Sequence, residues 1–561
     1  MPHERLGVKT SIDSMLSTTS SEFEDDIQHP EWYKNNRAKV FCFNVISAMY
    51  AFVLVIVSLV IELSSTWQSR GMSNCYTAFC ILMYSISIAF FIHLYLFIIY
   101  PQALNYLIEK FTARFEIKIR TFEQPKHDGE GAGTLYLRLG ALLFGLFGSV
   151  LYGTEIFLCF YDQKRNASWI ARYILAVIFT FIQIHFLFCN SKIKLKKTDF
   201  LASFGMMHCI AVNLWSWISL CMAKTNYKVL KKAKKSTNYT SNYTTNAYDS
   251  YYYDATTEKS LASATFRNDE QEMRVLTKLG SAANFLLTTQ VEFSLIAAAV
   301  CFIIWKYKGD ETHREGRKKM IRFDCKRTTI GIFAGLLIFI ASLVCIAMTI
   351  IFNKDSQGQS ADDVIGYGQL VMFIITGLAV IFALFRMRRL QYRLHSHGEV
   401  IDEILLIVGL AGEVIYCCTG LDVYIHEKRN SESPPCLVVI VFTVRIIQVI
   451  IQSVFILISS RLRCLNKSSV LAQPGKQTIT FMLICNLTLF LFHTYETIES
   501  SFGFPTNLSS NYSVLLYVSS PLVVFYRFHS SACLAEIWKV TYSPKQHGHH
   551  KIPKVEVHEA A

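Results

Sequence analysis

The residues best placed to do chemistry in this chain are polar ones inside apolar surroundings. Glu292 stands in TTQVEFSLI, Glu413 in GLAGEVIYC and Arg445 in VFTVRIIQV, and Tyr526, Arg527 and His529 stand together in PLVVFYRFHSS. An ionised side chain at the centre of a bilayer costs roughly 2.5–3.5 kcal/mol on insertion scales, so each such group is either a functional element or half of a buried pair. For Glu292 the functional reading is carriage of a proton, with Thr289 one turn earlier on the same helix. Glu413 has a second reading, because Arg445 falls at a similar depth and offers a counter-ion. Gln183, Gln452, Asn213 and Asn486 cannot titrate, but amides of this kind hold water chains or orient a carboxylate. Histidines at His93, His185, His208, His493 and His529 read either as proton sites or as hydrogen-bonded packing residues.

Other chemistries lack their motifs. The sequence contains no P-loop, GxSxG, HExxH or glycine-rich dinucleotide turn, and no CxxC pattern with zinc spacing, so neither an enzyme nor a cofactor is expected. His547, His549 and His550 read as a solvated tail, and no metal site is expected. A net charge of +13 does not imply nucleic acid, because Lys and Arg cluster between apolar runs. Most of the sixteen cysteines sit in those runs as small hydrophobes; Cys75 and Cys436 fall where a disulfide is allowed.

The elements that must position these groups are membrane helices. The chain has 561 residues, 52% of them hydrophobic and only 17% charged, against about 25% charged in an average soluble chain. A spanning helix needs about 20 apolar residues. Twelve stretches qualify, near 39–61, 78–100, 135–159, 171–188, 199–221, 283–305, 329–352, 364–385, 401–424, 436–458, 478–496 and 513–538. Loops after the even-numbered spans up to the tenth carry 5, 4, 9, 4 and 4 Lys/Arg, whereas the short loops after spans 1, 3, 7, 9 and 11 carry 1, 2, 1, 2 and 0. The positive-inside rule then places both termini in the cytoplasm. N-x-S/T sequons at Asn166, Asn238, Asn242, Asn507 and Asn511 all fall in loops assigned outside and are expected to be glycosylated. Glu155, near the outer end of span 3, is expected to touch water and with His426 is a candidate for sensing external pH.

An internal repeat organises the spans. GLFGSVLY (145–152) in span 3 recurs as GLAGEVIY (409–416) in span 9, and FIQIHF in span 4 recurs as IIQSVF in span 10. Asn213-Leu214 in span 5 matches Asn486-Leu487 in span 11, and spans 6 and 12 both end in Ile-Trp-Lys. Six spans separate equivalents, so the halves share one orientation, related by an axis along the membrane normal. The expected architecture is all-α. A disordered cytoplasmic N-terminal tail (1–38) precedes an N domain (39–305), whose outer loop at about 225–281 is read as disordered and glycosylated. A basic cytoplasmic linker (306–328), a C domain (329–538) and a cytoplasmic C-terminal tail (539–561) follow.

FGMMHCIAVNLWSWI (204–218), VEFSLIAAAVCFIIWK (291–306), FIQIHFLFCNSK (181–192) and SPLVVFYRFHSSACLAEIWK (520–539) resemble the signature segments of the otopetrin family, and LRLGALLFGLFGSVLY in span 3 fits the same pattern. The invertebrate branch, with its long sequon-bearing loop after span 5, is the nearer match. The resemblance implies a proton-selective channel opened by extracellular acid, with protons as the permeant ion. It implies a multi-pass plasma-membrane protein in the lipid bilayer, assembled as a homodimer. It carries the family's proton-path residues onto Glu292, Glu413, Asn213, His208, Tyr526, Arg527 and His529. One departure is Phe293, where the family tends to have tyrosine after the span 6 glutamate. A relay of Glu292 hydrogen-bonded near Asn213 and Thr289, with Glu413 and Gln452 as its counterpart, is the mechanism expected. The competing reading is a proton-coupled secondary transporter of two six-helix halves; the loop after span 2, PQALNYLIEKFTARFEIK, lacks the Gly-x-x-x-Asp-Arg/Lys-x-Gly pattern of the major-facilitator group. A multispan receptor is the third alternative.

Overall fold

A computed structural model describes residues 36–67, 73–115, 134–161, 167–191, 199–241, 274–307, 328–354, 358–392, 400–430, 436–464, 466–499 and 510–542, together with Ile193 and Leu195. Asn166, Asn242 and Asn507 lie outside the described residues, as do the side chains of Asn238, Asn511 and His426.

The long helices are α1 (Asn36–Trp67), α2 (Ser73–His93), α3 (Leu135–Tyr161), α4 (Ala167–Cys189), α5 (Phe200–Ser241), α6 (Ser281–Lys306), α7 (Thr329–Lys354), α8 (Gly358–Met387), α9 (Val400–Asn430), α10 (Cys436–Ser459), α11 (Lys476–Glu499) and α12 (Ser510–Tyr542). Among the described residues eleven helices, α1 to α11, are long and apolar enough to cross a membrane. The chain is an all-α polytopic membrane protein.

The helix α12 is different in composition. Its 33 residues include Arg527, His529, Ser530 and Ser531, and those four side chains are buried. A helix enclosed by other helices need not be apolar, because its polar groups face protein and not lipid.

Helix ends follow local chemistry. After His93, α2 passes into a π-helical turn, Leu94–Ile99, closed by Tyr100 N donating to Tyr95 O at 2.8 Å. Pro101 then begins a short helix, Pro101–Phe115, with no amide to extend the ladder. At its C-terminal end α5 runs on to Ser241, so the stretch 225–241, expected to be part of a disordered loop, is helical. Its lysines and alanine (Lys231, Lys232, Ala233, Lys234, Lys235) are good helix formers and extend the helix beyond the apolar run.

Within residues 36–306, α1 packs on α5, α2 on α4, α3 on α4 and α6, and α5 on α6. Within residues 329–542, α7 packs on α11, α8 on α10, α9 on α10 and α12, and α11 on α12. The neighbour relations of the first six helices therefore recur among the last six. The GLxGxVxY strings explain one of them. A Cβ on Gly145 would meet Ile184 of α4 at 2.6 Å and Phe293 of α6 at 2.9 Å, and one on Gly148 would collide with Gln290 of α6. A Cβ on Gly409 would meet Tyr526 Cα of α12 at 3.0 Å, and one on Gly412 would collide with Leu522 of α12. The paired glycines bring the third helix of each half against the sixth.

Two short features were not anticipated. β1 (Gln391–Tyr392) pairs antiparallel with β2 (Leu462–Arg463), tying the ends of α8 and α10. Thr541 and Tyr542 then fasten α12 to the same end, Thr541 Oγ1 donating to Leu462 O at 3.0 Å and Tyr542 Oη to Pro474 O at 2.7 Å. Cys75 and Cys436 are both exposed free thiols, so the allowed disulfide is not formed between them.

Candidate functional site

The second half contains a continuous polar ladder. Glu413 on α9 is fully buried and lies between two buried guanidiniums. Arg445 of α10 donates from Nε to Oε2 at 2.8 Å, and Arg527 Nε of α12 lies 3.0 Å from Oε1, within ion-pair range but off the direction of a hydrogen bond. Arg527 Nη1 then donates to Gln448 Oε1 at 2.9 Å, and Gln448 Nε2 to Gln452 Oε1 at 2.9 Å. Gln452 and Asn486 exchange amide hydrogen bonds of 2.8 and 3.2 Å. Tyr526 Oη closes the group, 2.9 Å from Ser453 Oγ and donating to Val449 O at 2.9 Å. The α-helical period makes this possible: Arg445, Gln448 and Gln452 are spaced i, i+3 and i+7 and share one face of α10. Aromatic faces cover the guanidiniums, Phe373 lying under both and Tyr416 under Arg445. One buried carboxylate thus faces two guanidiniums, an ion pair on each oxygen that anchors Glu413 and leaves the three groups with one net positive charge.

The first half places its polar groups apart. Glu292 is buried on α6, and neither carboxylate oxygen has a hydrogen-bond partner among the described residues. The expected bonds to Asn213 and Thr289 are absent: Asn213 Nδ2 donates to Cys209 O at 2.7 Å and Thr289 Oγ1 to Leu286 O at 2.7 Å. Both side chains turn back on their own helices, where a carbonyl is always within reach. Among the described residues Gln183 Nε2 reaches only Cys301 Sγ, at 4.0 Å.

The repeat accounts for the contrast position by position. Aligning the two Ile-Trp-Lys strings sets Phe293 opposite Tyr526 and Ser294 opposite Arg527; the glycine strings set Ser149 opposite Glu413; and Gln183 against Gln452 sets Ala176 opposite Arg445. Every charged member of the second-half cluster is uncharged in the first.

A lysine not foreseen from the sequence sits between the halves. Lys224 of α5 is buried, one turn beyond the end expected for the fifth span, and its Nζ donates to Thr288 Oγ1 of α6 at 3.1 Å and to Thr497 Oγ1 of α11 at 3.5 Å. Its charge acts electrostatically on Glu292. Asn284, Thr288 and Glu292 recur at i, i+4 and i+8 and so form one polar stripe of α6.

The remaining candidates are accounted for as follows. His208 is held at both ring nitrogens, by Tyr50 Oη at 2.8 Å and Met83 O at 3.1 Å. His529 Nε2 lies 2.8 Å from Asp402 O. Glu155, expected to meet water, is buried against neighbouring helices. Three further buried groups were missed. Gln448 joins Arg527 to Gln452, and its spacing of four from Gln452 was the available signal. Glu496 pairs with His493 at 2.8 Å across an i, i+3 step. Glu62 accepts from Trp215 Nε1 at 2.7 Å and Tyr76 Oη at 2.9 Å, while Arg172 Nη2 donates to that same Tyr76 at 3.1 Å. Glu62 and Lys224 lie just past the ends of the apolar runs, where a charge passes for a loop residue.

Fold and site together define a polytopic helical membrane protein whose buried ionisable groups lie along and between two similar six-helix sets. The otopetrin family pattern matches residues 136–528, and the chain belongs to the otopetrin family. It is 26% identical over 447 residues to the proton channel OtopLc of Drosophila melanogaster, an alignment covering 74% of this chain. The chain spans 28% of that relative's length.

Proposed function

We propose that this protein is a proton-selective channel of the plasma membrane that opens to extracellular acid and carries protons inward; it is not an enzyme. Membership of the otopetrin family, 26% identity to a proton channel included, is the observation that carries the reading. The architecture that goes with it is twelve spans in two parallel six-helix halves with cytoplasmic termini, glycosylated outer loops and a homodimeric assembly. The recurring helix neighbours and the paired glycine contacts support the two halves.

Selectivity follows from what each ion requires. A sodium ion needs a shell of oxygen ligands to replace its water, whereas a proton moves along hydrogen-bonded groups one hop at a time. Helices packed as closely as α3 on α6 and α9 on α12 leave little room for a hydrated metal ion, while buried carboxyls, amides and hydroxyls provide stations for a proton. In this reading Glu292 is the station of the first half, because among the described residues no hydrogen bond or ion pair holds its carboxyl in one state. The second-half ladder offers an amide and hydroxyl route beside an electrostatically closed Glu413.

The test is whole-cell current during an external acid step, with reversal potential followed as the proton gradient is changed. A reversal potential that tracks the proton Nernst value and ignores sodium and chloride is expected. Current that requires a co-substrate would instead mark a coupled transporter. Glu292→Gln at normal surface abundance is expected to lose most of the current, and wild-type current from that variant removes Glu292 from the path.

A further inference from the structure

Two buried ionisable groups in the first half have no salt-bridge partner among the described residues, and they occupy adjacent helices. Glu292 is on α6; Lys224 is on α5, with only hydroxyls as hydrogen-bond partners. This is unlike the arginines of the second half, which share Glu413 as a counter-ion at 2.8 and 3.0 Å. Lysine is chemically distinct from arginine here: its ammonium can give up a proton and serve as a base, whereas a guanidinium remains protonated in proteins.

We propose that Lys224 is itself a proton-carrying station of the conduction path, exchanging a proton with Glu292 at the boundary between the two halves. The proposal rests on the channel reading above. In the step, the Nζ–H bond of the ammonium breaks and an O–H bond forms on the Glu292 carboxylate. The ammonium and carboxylate become a neutral amine and a neutral acid, and the amine then takes the next proton from the other side. Both states of the pair carry no net charge, so the exchange avoids placing a lone charge in a low-dielectric interior. The other titratable group that feels both charges is Cys221, one turn before Lys224 on α5. Thr288 and Thr497 supply the geometry. They hold Nζ between α6 and α11, and Thr288 lies one turn from Glu292 on the polar stripe of α6. Four rotatable carbons let the ammonium swing between its hydroxyl cradle and the carboxyl. A metal ion cannot follow, because it has no covalent site on the amine or the carboxyl to hop between as a proton does.

Two substitutions separate a station from a structural tether. Lys224→Arg keeps the charge, the reach and the hydrogen-bond donors but cannot release a proton. Lys224→His shortens the side chain yet keeps a proton it can release. Proton current per channel at the surface, read by acid-step recording and normalised by surface labelling, is expected to fall about a hundredfold in Lys224→Arg, the low end of what a positioned proton-transfer group contributes. Lys224→His is expected to retain more current than Lys224→Arg. A tether predicts the reverse order, so Lys224→Arg within about twofold of wild type, or Lys224→His at or below Lys224→Arg, overturns the proposal. Absence of a proton-selective current in the wild-type protein would overturn the channel reading as well; wild-type conduction with an indifferent Lys224→Arg overturns only the role of Lys224.

Discussion

The first and second halves share helix neighbours and glycine contacts, yet they treat buried charge in opposite ways. In the second half Glu413 is enclosed by Arg445 and Arg527, and the amides beside it bond one another in sequence. In the first half Ser149, Ala176 and Ser294 occupy the equivalent places, and the carboxyl has moved to Glu292, where Phe525 is its counterpart. A fold that tolerates both arrangements does not depend on either for its shape. What differs is how the charges are held: a carboxylate between two guanidiniums is anchored, whereas Glu292 and Lys224 have no salt-bridge partner among the described residues.

The largest test of that contrast is Glu413→Gln. Removing the carboxylate leaves two guanidiniums buried without their anion, and breaking a buried pair costs about 3–5 kcal/mol. Loss of monodisperse protein, or a sharply lower Tm in detergent, is expected from Glu413→Gln, with Glu292→Gln close to wild type by the same measure. Equal losses from both substitutions would erase the distinction.

The glycines give a test of intermediate size. Both Gly148→Ala and Gly412→Ala create a collision, but the Gly148 methyl meets the flexible end of Gln290, whereas the Gly412 methyl meets Leu522 at its Cβ, close to the α12 backbone. Gln290 can rotate away; Leu522 must take α12 with it. Gly412→Ala is expected to cost about 1–3 kcal/mol, with Gly148→Ala markedly milder. Thermal unfolding of the two variants in parallel decides the order.

The smallest effect is expected at the phenol. Tyr526→Phe strips Ser453 and Val449 O of a buried partner, a loss of about 1–2 kcal/mol. Phe293→Tyr does not restore symmetry, because Ile184 stands where Ser453 would receive the new hydroxyl. Tm should fall in both variants, more clearly in Tyr526→Phe.

Particular residues explain what was legible in advance. Apolar runs of about 20 residues announce spanning helices, and the repeated strings announce equivalent packing. Glu292, Glu413 and Arg445 stood out because charges are rare inside such runs. The Glu413–Arg445 contact was anticipated as an alternative, whereas Arg527 as a second counter-ion was not, since depth along separate helices says little about which faces meet. Lys224 and Glu62 escaped because they sit a residue or a turn beyond the runs, the zone where hydropathy stops discriminating. The expected Glu292–Asn213 bond failed for a local reason: an asparagine in a helix always has its own i−4 carbonyl as a competitor. The two-residue strands β1 and β2 are too short to leave any alternating pattern.

The first helix of each half packs on the fifth rather than chiefly on the second. During synthesis, α1 therefore enters the membrane well before its main partner α5 has been made. It can wait in lipid because Ser47 and Ser58 bond their own helix, to Asn44 O and Leu54 O. Glu62 and Tyr50 are exceptions, since the partners of Glu62, Tyr76 and Trp215, belong to α2 and α5 and that of Tyr50, His208, to α5. Assembly of a half is thus a closing event, in which the fifth helix returns to the first and only then gives the Glu62 carboxylate its Trp215 donor.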